Sequence, residues 1–285
     1  MSLIHVRLSQ NHMATTFDLK IACQEYEKLR AHQTLIDCHK LIHAIELDCS
    51  EFLSDSSVYR LNHGPTKQPI PVSKHVIHLL DRSHFLMEAT ENAFNIGVKS
   101  LVPLPPSVHW DSEDSVAWKT DPRYRVGFGA IGKGYALDQC RTLIEQSEFQ
   151  HYVLSAGGSS LILSGQAADD APWEWGWAFH KNGSGEYQGI PLTHTGSTVA
   201  VGVSGILEKG EHIVVAKNHR LLSALVATTS ATDADALSTA LFANGWNESH
   251  RTFQKFFTLP AMATVNESLE PEWNGTFEEL WGPLK

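Results

Sequence analysis

The chain lacks several things, and each absence removes a class of protein. No stretch approaches the ~18 consecutive apolar residues of a membrane-crossing helix, so membrane insertion is not expected. There is no run of Lys and Arg, and Asp plus Glu (32) outnumber Lys plus Arg (22), for a net charge of −10. Such a surface repels a phosphate backbone, which argues against nucleic acid as a partner. Cysteines are few: Cys23, Cys38, Cys49 and Cys140 form no Cys-x-x-Cys pair and are too sparse for a disulfide scaffold. The first residues carry neither the basic end and apolar core of a secretory signal nor a lipid-anchoring Cys, so the expected setting is reduced and cytoplasmic. Repeats, low-complexity tracts and flexible linkers are also missing.

What remains is an ordinary globular composition, 42% hydrophobic and 19% charged over 285 residues. That length suits two domains or one large one. Alternation over residues 14–22 predicts a strand, and Leu29, Ile36, Ile42, Ile45 and Cys49 predict an amphipathic helix over 26–49. A second helix is expected over 73–89, capped by the Ser73 hydroxyl. Prolines and acids between 103 and 122 predict an irregular connection. Strands are then expected at 124–128, 151–155, 160–163, 198–204 and 221–227, with helices over 131–144 and 232–243, the latter ended by Asn244 and Gly245. Trp173, Trp175 and Trp177 alternate and would share one face of a strand. The expectation is an α+β fold of mixed antiparallel sheets with packed helices, a single unit over 1–285 whose interleaved subdomains would divide near residue 120.

The chemistry concentrates in Gly127-Phe128-Gly129-Ala130-Ile131-Gly132-Lys133-Gly134, between a predicted strand and a predicted helix. Glycines admit a ligand close to backbone amides, and a helix start plus Lys133 supply positive potential for phosphate. Three readings fit. A dinucleotide fingerprint would need an acid about 20 residues on, at the end of the next strand, where Ser155, Ala156 and Gly157 stand instead. A P-loop would need Ser or Thr where Gly134 stands. A tight turn packing helix on sheet needs nothing more. In the later helix, Asp235 and Thr239 are four apart and share a face, a pair of hard oxygen donors suited to Mg²⁺ or simply helix-start caps.

Taken together and in order, these fragments resemble the ApbE family of flavin transferases, from Met13 to about Gly245. Met13-Ala14-Thr15, Ser50-Glu51-Phe52, the segment from Ser57 to Asn62, Ala93-Phe94-Asn95, the glycine turn through Asp138, Ala156-Gly157-Gly158, Ser204-Gly205, Glu211-His212-Ile213 and Asp235 to Thr239 follow the family order. The resemblance implies transfer of FMN from FAD to a Ser or Thr of an acceptor flavoprotein, with FAD hydrolysis to FMN and AMP as a side reaction. It implies that Asp235, Thr239 and the Ala130 carbonyl hold Mg²⁺ and that Lys133 faces the pyrophosphate. Met13, Phe52, Ala93, Phe94, Asn95 and Gly127 would lie near the flavin or adenine. His212 would take the acceptor's proton, although among 16 histidines a surface imidazole is the plainer reading.

Several positions depart from the family pattern: Gly127 and Asn95 stand where it has Asp, Ser159 follows the paired glycines in place of Asp, Phe52 replaces Tyr and Ala14 replaces Gly. Metal and phosphate handling look intact while flavin recognition looks altered. The second expectation is therefore a divergent, inactive member that binds a nucleotide or a protein.

Overall fold

The structure, a computed structural model, describes residues 2–97, 107–181, 184, 186–207 and 221–284. Two antiparallel strands open it, β1 (Ile4–His12) and β2 (Thr15–Cys23). The helices α1 (Lys28–Cys49) and α2 (Ser57–His63) follow, then the short β3 (Ile70–Pro71) and helix α3 (Lys74–Ala89). Next come the hairpin β4 (Val108–Asp111) and β5 (Val116–Lys119) and helix α4 (Gly132–Gln146). Strands β6 (Tyr152–Ala156), β7 (Ser160–Gly165), β8 (Trp173–Lys181), β9 (Tyr187–His194), β10 (Gly196–Gly205) and β11 (Leu221–Thr228) lead to helices α5 (Ala231–Asn244) and α6 (Trp246–Phe253). Strands β12 (Ala261–Asn266) and β13 (Pro271–Trp273) and helix α7 (Gly275–Trp281) complete it.

The main sheet has eight strands in the order β1-β2-β6-β7-β10-β11-β12-β13, with every neighbouring pair antiparallel. The β2–β6 pairing, with Phe17 opposite Ala156, joins the early part of the chain to the late part. One face of this sheet carries the principal core, in which Phe17, Leu19 and Ile21 meet Leu35, Ile42 and Ile45 of α1, Leu137 of α4 and Leu237 of α5. A second apolar cluster gathers Leu163, Val201 and Leu225 with Trp173, Trp177 and Phe277. The antiparallel α+β fold matches expectation. Among the described residues no helix is long and apolar enough to cross a membrane, and all four cysteines are free thiols.

Three local expectations need correction. Residues 124–128 form no strand, because their backbone bonds go elsewhere. The Asn62 side-chain amide exchanges two 2.8 Å bonds with Val126, and the Gly127 amide donates to the Ile96 carbonyl at 2.9 Å. The described part of the proline-rich stretch is not irregular: it forms the β4–β5 hairpin, whose acids make the turn as Asp111 Oδ1 accepts from the Glu113 and Asp114 amides. In α1 the buried stripe runs through Ala31, Leu35, Cys38, Ile42 and Ile45, while Leu29 is 85% exposed. Ile42 and Ile45 are buried as the periodicity predicts, while Ala31, Thr34, Cys38 and His39 add small and polar residues to that face which apolar spacing overlooks.

Candidate functional site

The first two turns of α4 and α5 cross, and glycines permit the approach. A methyl group on Gly134 would fall inside the Ala231 carbonyl and the Thr232 amide, and one on Gly202 of β10 inside the Ala234 carbonyl. Helix starts leave several amides without intrahelical partners, and here each helix supplies the other's acceptor. Asp235 of α5 takes the Gly134 amide at 2.8 Å. Asp138 of α4 takes the Ala231 and Thr232 amides at 3.1 and 2.9 Å and the Ser230 hydroxyl at 2.8 Å. Two carboxylates thus sit reciprocally at two positive helix ends.

Around Asp235 the donors are oxygen-rich. Lys133 Nζ lies 3.7 Å from its Oδ2. One turn on, the Thr239 hydroxyl bonds the Asp235 carbonyl at 3.1 Å, and Ser204 Oγ lies 2.9 Å from Ser238 Oγ and 3.1 Å from Thr239 Oγ1. The buried Ser160 Oγ has no well-formed hydrogen bond, yet it acts on the same carboxyl and helps to hold its pKa down. Burial pushes the Asp235 carboxyl up, opposed by Lys133, Ser160 and the Gly134 amide. Beside this crossing, a cavity of about 190 Å³ is bounded by Arg82, Tyr135, Asp138, Arg141, Thr232 and Asp233. Arg82 holds Asp233 through Nε at 2.7 Å.

The other described candidates lie on separate turns. Met13 and Ala14 make the two-residue turn between β1 and β2 with φ of 50° and 58°, a conformation in which non-glycine residues are strained. The Met13 amide donates to Glu46 Oε1 of α1 at 2.6 Å. This turn abuts the one between β6 and β7, since the Gly157 amide donates to the Thr16 carbonyl at 2.9 Å and a methyl on Gly157 would strike Thr15 Oγ1. Gly127 lies against Ile96, beside Asn95, and the Glu51 carboxylate oxygens are 3.6 Å from where a Gly127 Cβ would stand. Phe52 is 80% exposed, Phe94 is buried in the core, and Ala93 is half-buried against it. Ala130 sits half-buried in the turn that enters α4. His212 lies outside the described residues.

The ApbE family model matches residues 13–107 and 105–263. The chain belongs to the ApbE family. It is 25% identical over 193 residues to the FAD:protein FMN transferase of Vibrio cholerae, a match covering 59% of this chain and 57% of that protein. To the Haemophilus influenzae FAD:protein FMN transferase it is 22% identical over 292 residues, covering 88% and 84%. Among solved structures, the flavin transferase ApbE from V. cholerae superposes with a TM-score of 0.82 at 18% identity, over 98% of this chain and 99% of that one. The apo flavinyl transferase ApbE of Pseudomonas stutzeri gives 0.82 at 19%, over 100% and 99%. The fold is the ApbE fold.

Within this ApbE chain, sequence reasoning marked Lys133, Asp235 and Thr239; the fold sets Lys133 Nζ 3.7 Å from Asp235, with Thr239 one turn further along α5. It missed the role of Asp138, whose position one helical turn after Gly134 is a signal only once Ser230 is known to begin the facing helix. It missed Ser160, a strand residue with no local motif, and marked Ser204 only as part of an ordered fragment, without its bonds to Ser238 and Thr239. It also missed Glu46, which reads as an ordinary polar position on α1 until β1 is laid against it.

Proposed function

We propose that the chain is a Mg²⁺-dependent flavin transferase that moves FMN from FAD to a Ser or Thr of an acceptor protein and can release FMN and AMP when water replaces the acceptor. The reading rests on the reciprocal capping of α4 and α5. Two helix starts and Lys133 are a natural anion site, yet Asp235 and Asp138 already offset their charge, and Arg141, 3.5 Å from Asp138, restores only part of it. A pyrophosphate therefore needs an additional cation.

The donor set fits a hard divalent ion. Asp235, Thr239 and the Ala130 carbonyl would hold Mg²⁺, with water and phosphate completing the six oxygens it prefers. The Ser160 hydroxyl, buried and without an ordinary partner, adds a polar atom to the same place. When bound, the ion supplies neutralisation of the developing phosphate charge. Lys133 and the α4 amides hold the pyrophosphate in line. The acceptor oxygen forms its bond to the FMN phosphorus as the bond to the AMP oxygen breaks, and His212 takes the acceptor's proton. On the flavin side, Met13, Ala93, Asn95 and Phe52 border the ring systems, Phe94 backs them from the core, and Glu51 supplies next to Gly127 a carboxylate that residue 127 lacks.

The reading is tested by incubating the protein with FAD and Mg²⁺ and measuring AMP. Release of AMP that stops on chelation and is abolished in Asp235→Asn is expected. No AMP, with or without a candidate acceptor, sustains the other reading, a family member that binds without transfer, which the missing carboxylates at 95 and 127 favour.

A further inference from the structure

At the opposite end of α1 from its start, three potential ligands converge from two elements. His12, the last residue of β1, and His43 and Glu46 on α1 place their ligand atoms within 4.8 Å of one another, the sole such group among the described residues. His12 Nδ1 is 3.5 Å and His43 Nδ1 is 3.8 Å from Glu46 Oε2. Donors around a tetrahedral zinc ion at ~2.0 to 2.1 Å stand roughly 3.3 Å apart, so small side-chain adjustments would close the set.

The hydrogen bonds behind this group orient it. His39 Nε2 lies 3.2 Å from the Leu8 carbonyl, which can only accept, so that nitrogen carries a hydrogen. In neutral His39, Nδ1 is then the acceptor, and it lies 3.3 Å from His12 Nε2, which donates to it. Neutral His12 is left with a bare lone pair on Nδ1, aimed at the carboxylate of Glu46. Two electron-rich atoms facing each other, with His12 itself 8% exposed, call for a cation between them. Glu46 is held as well: its other oxygen accepts from the Met13 amide, which leaves Oε2 for the ion. A buried imidazole fixed in its tautomer by a second residue is the arrangement that supports metal ligation.

We propose that His12 Nδ1, His43 Nδ1 and Glu46 Oε2 bind a first-row divalent transition ion of the zinc class, with His39 as the positioning residue and water at the open position. Two imidazoles and one carboxylate suit Zn²⁺ or Co²⁺, whereas Mg²⁺ prefers oxygen throughout. The site is independent of the oxygen donors at Asp235. Because Glu46 also ties down the strained Met13 turn, occupancy would stiffen the junction of β1 and β2.

The test uses the untagged full chain, titrated with Zn²⁺ in the presence of excess Mg²⁺, and with Co²⁺ to read coordination from its visible absorption. One Zn²⁺ per chain is expected, with tetrahedral-type Co²⁺ bands. His43→Ala, at a 59% exposed side chain, and Glu46→Gln, which retains an acceptor for the Met13 amide, should each weaken binding at least tenfold with unchanged circular dichroism. Asp235→Asn should leave it unaltered. Binding of equal strength in wild type, His43→Ala and Glu46→Gln, or no stoichiometric binding by the wild type, would overturn the proposal and leave an imidazolium–carboxylate pair only.

Discussion

Asp235 serves two masters, the cap of α4 and the charge of the site, and two substitutions separate them. Alanine removes the acceptor of the Gly134 amide, a buried donor whose orphaning costs about 1 to 3 kcal/mol. Asparagine retains an oxygen for that amide while removing the charge that burial already disfavours. Chemical denaturation should therefore show Asp235→Ala destabilised by this amount and Asp235→Asn within about 1 kcal/mol of wild type, though both lose AMP release. Equal stability losses in the two variants would mean that capping is not what the carboxylate contributes. His75 offers a pH-dependent counterpart. Its Nδ1 lies 2.8 Å from the Tyr135 hydroxyl on α4, and burial, with His78 adding to it against Asp48, holds its pKa below the usual 6.5. The unfolded chain then binds more protons than the folded one between the two values, so stability is lost as pH falls below 6.5. His75→Gln, which can still accept from Tyr135, should flatten the decline in denaturation midpoint between pH 7 and 5.5; an unaltered slope would assign that decline elsewhere. At this scale the sequence was legible where candidate residues are local, as with Asp235 and Thr239 one turn apart on α5. It was silent where partners meet through the fold, as Asp138 meets Ser230.

Elements were legible where their signals are self-contained. Ser73 caps α3 by accepting from the Val76 amide at 3.3 Å, and Gly245 ends α5 with φ of 79°, both as expected. The three tryptophans of β8 belong to the second apolar cluster, Trp173 and Trp177 buried and Trp175 packed against them. The signal failed where a side chain replaced a strand, as Asn62 does for residues 124–128, because nothing local distinguishes an extended segment held by an amide from one held in a ladder. The helix-to-sheet contact carries its own prediction. Gly202 lets α5 lie on β10, and a methyl there meets backbone atoms of Ala234 and Asp235 that cannot step aside. Gly202→Ala should cost at least about 1 to 3 kcal/mol. Gly275→Ala, at the first residue of α7 with open space around it, should be neutral or slightly stabilising. Similar denaturation midpoints for the two variants would show that α5 can move off the sheet freely.

Across the whole molecule, the core joins both ends of the chain: Val6 and Phe17 share one cluster with Leu237 and Met262. Composition and periodicity led to an antiparallel α+β fold but could not give the strand order, since the β2–β6 pairing spans more than a hundred residues and no short-range pattern encodes it. The same integration makes ligand binding visible as global stability. The turns at Met13 and Gly157, the α4 start and the α5 start belong to different parts of the chain, and a ligand touching all of them stabilises only the folded state. A ligand present at 100 times its dissociation constant adds about 2.7 kcal/mol, which for a chain of this size raises the melting temperature by about 5 to 10 °C. FAD with Mg²⁺ is expected to give that shift, and FAD with chelator a smaller one, because on the proposed reading the carboxylates of Asp138 and Asp235 would then face the pyrophosphate without a cation. NAD and ATP separate the competing readings of the glycine turn, the dinucleotide fingerprint and the P-loop. A larger shift with either than with FAD would move the ligand away from flavin even though the fold is that of ApbE.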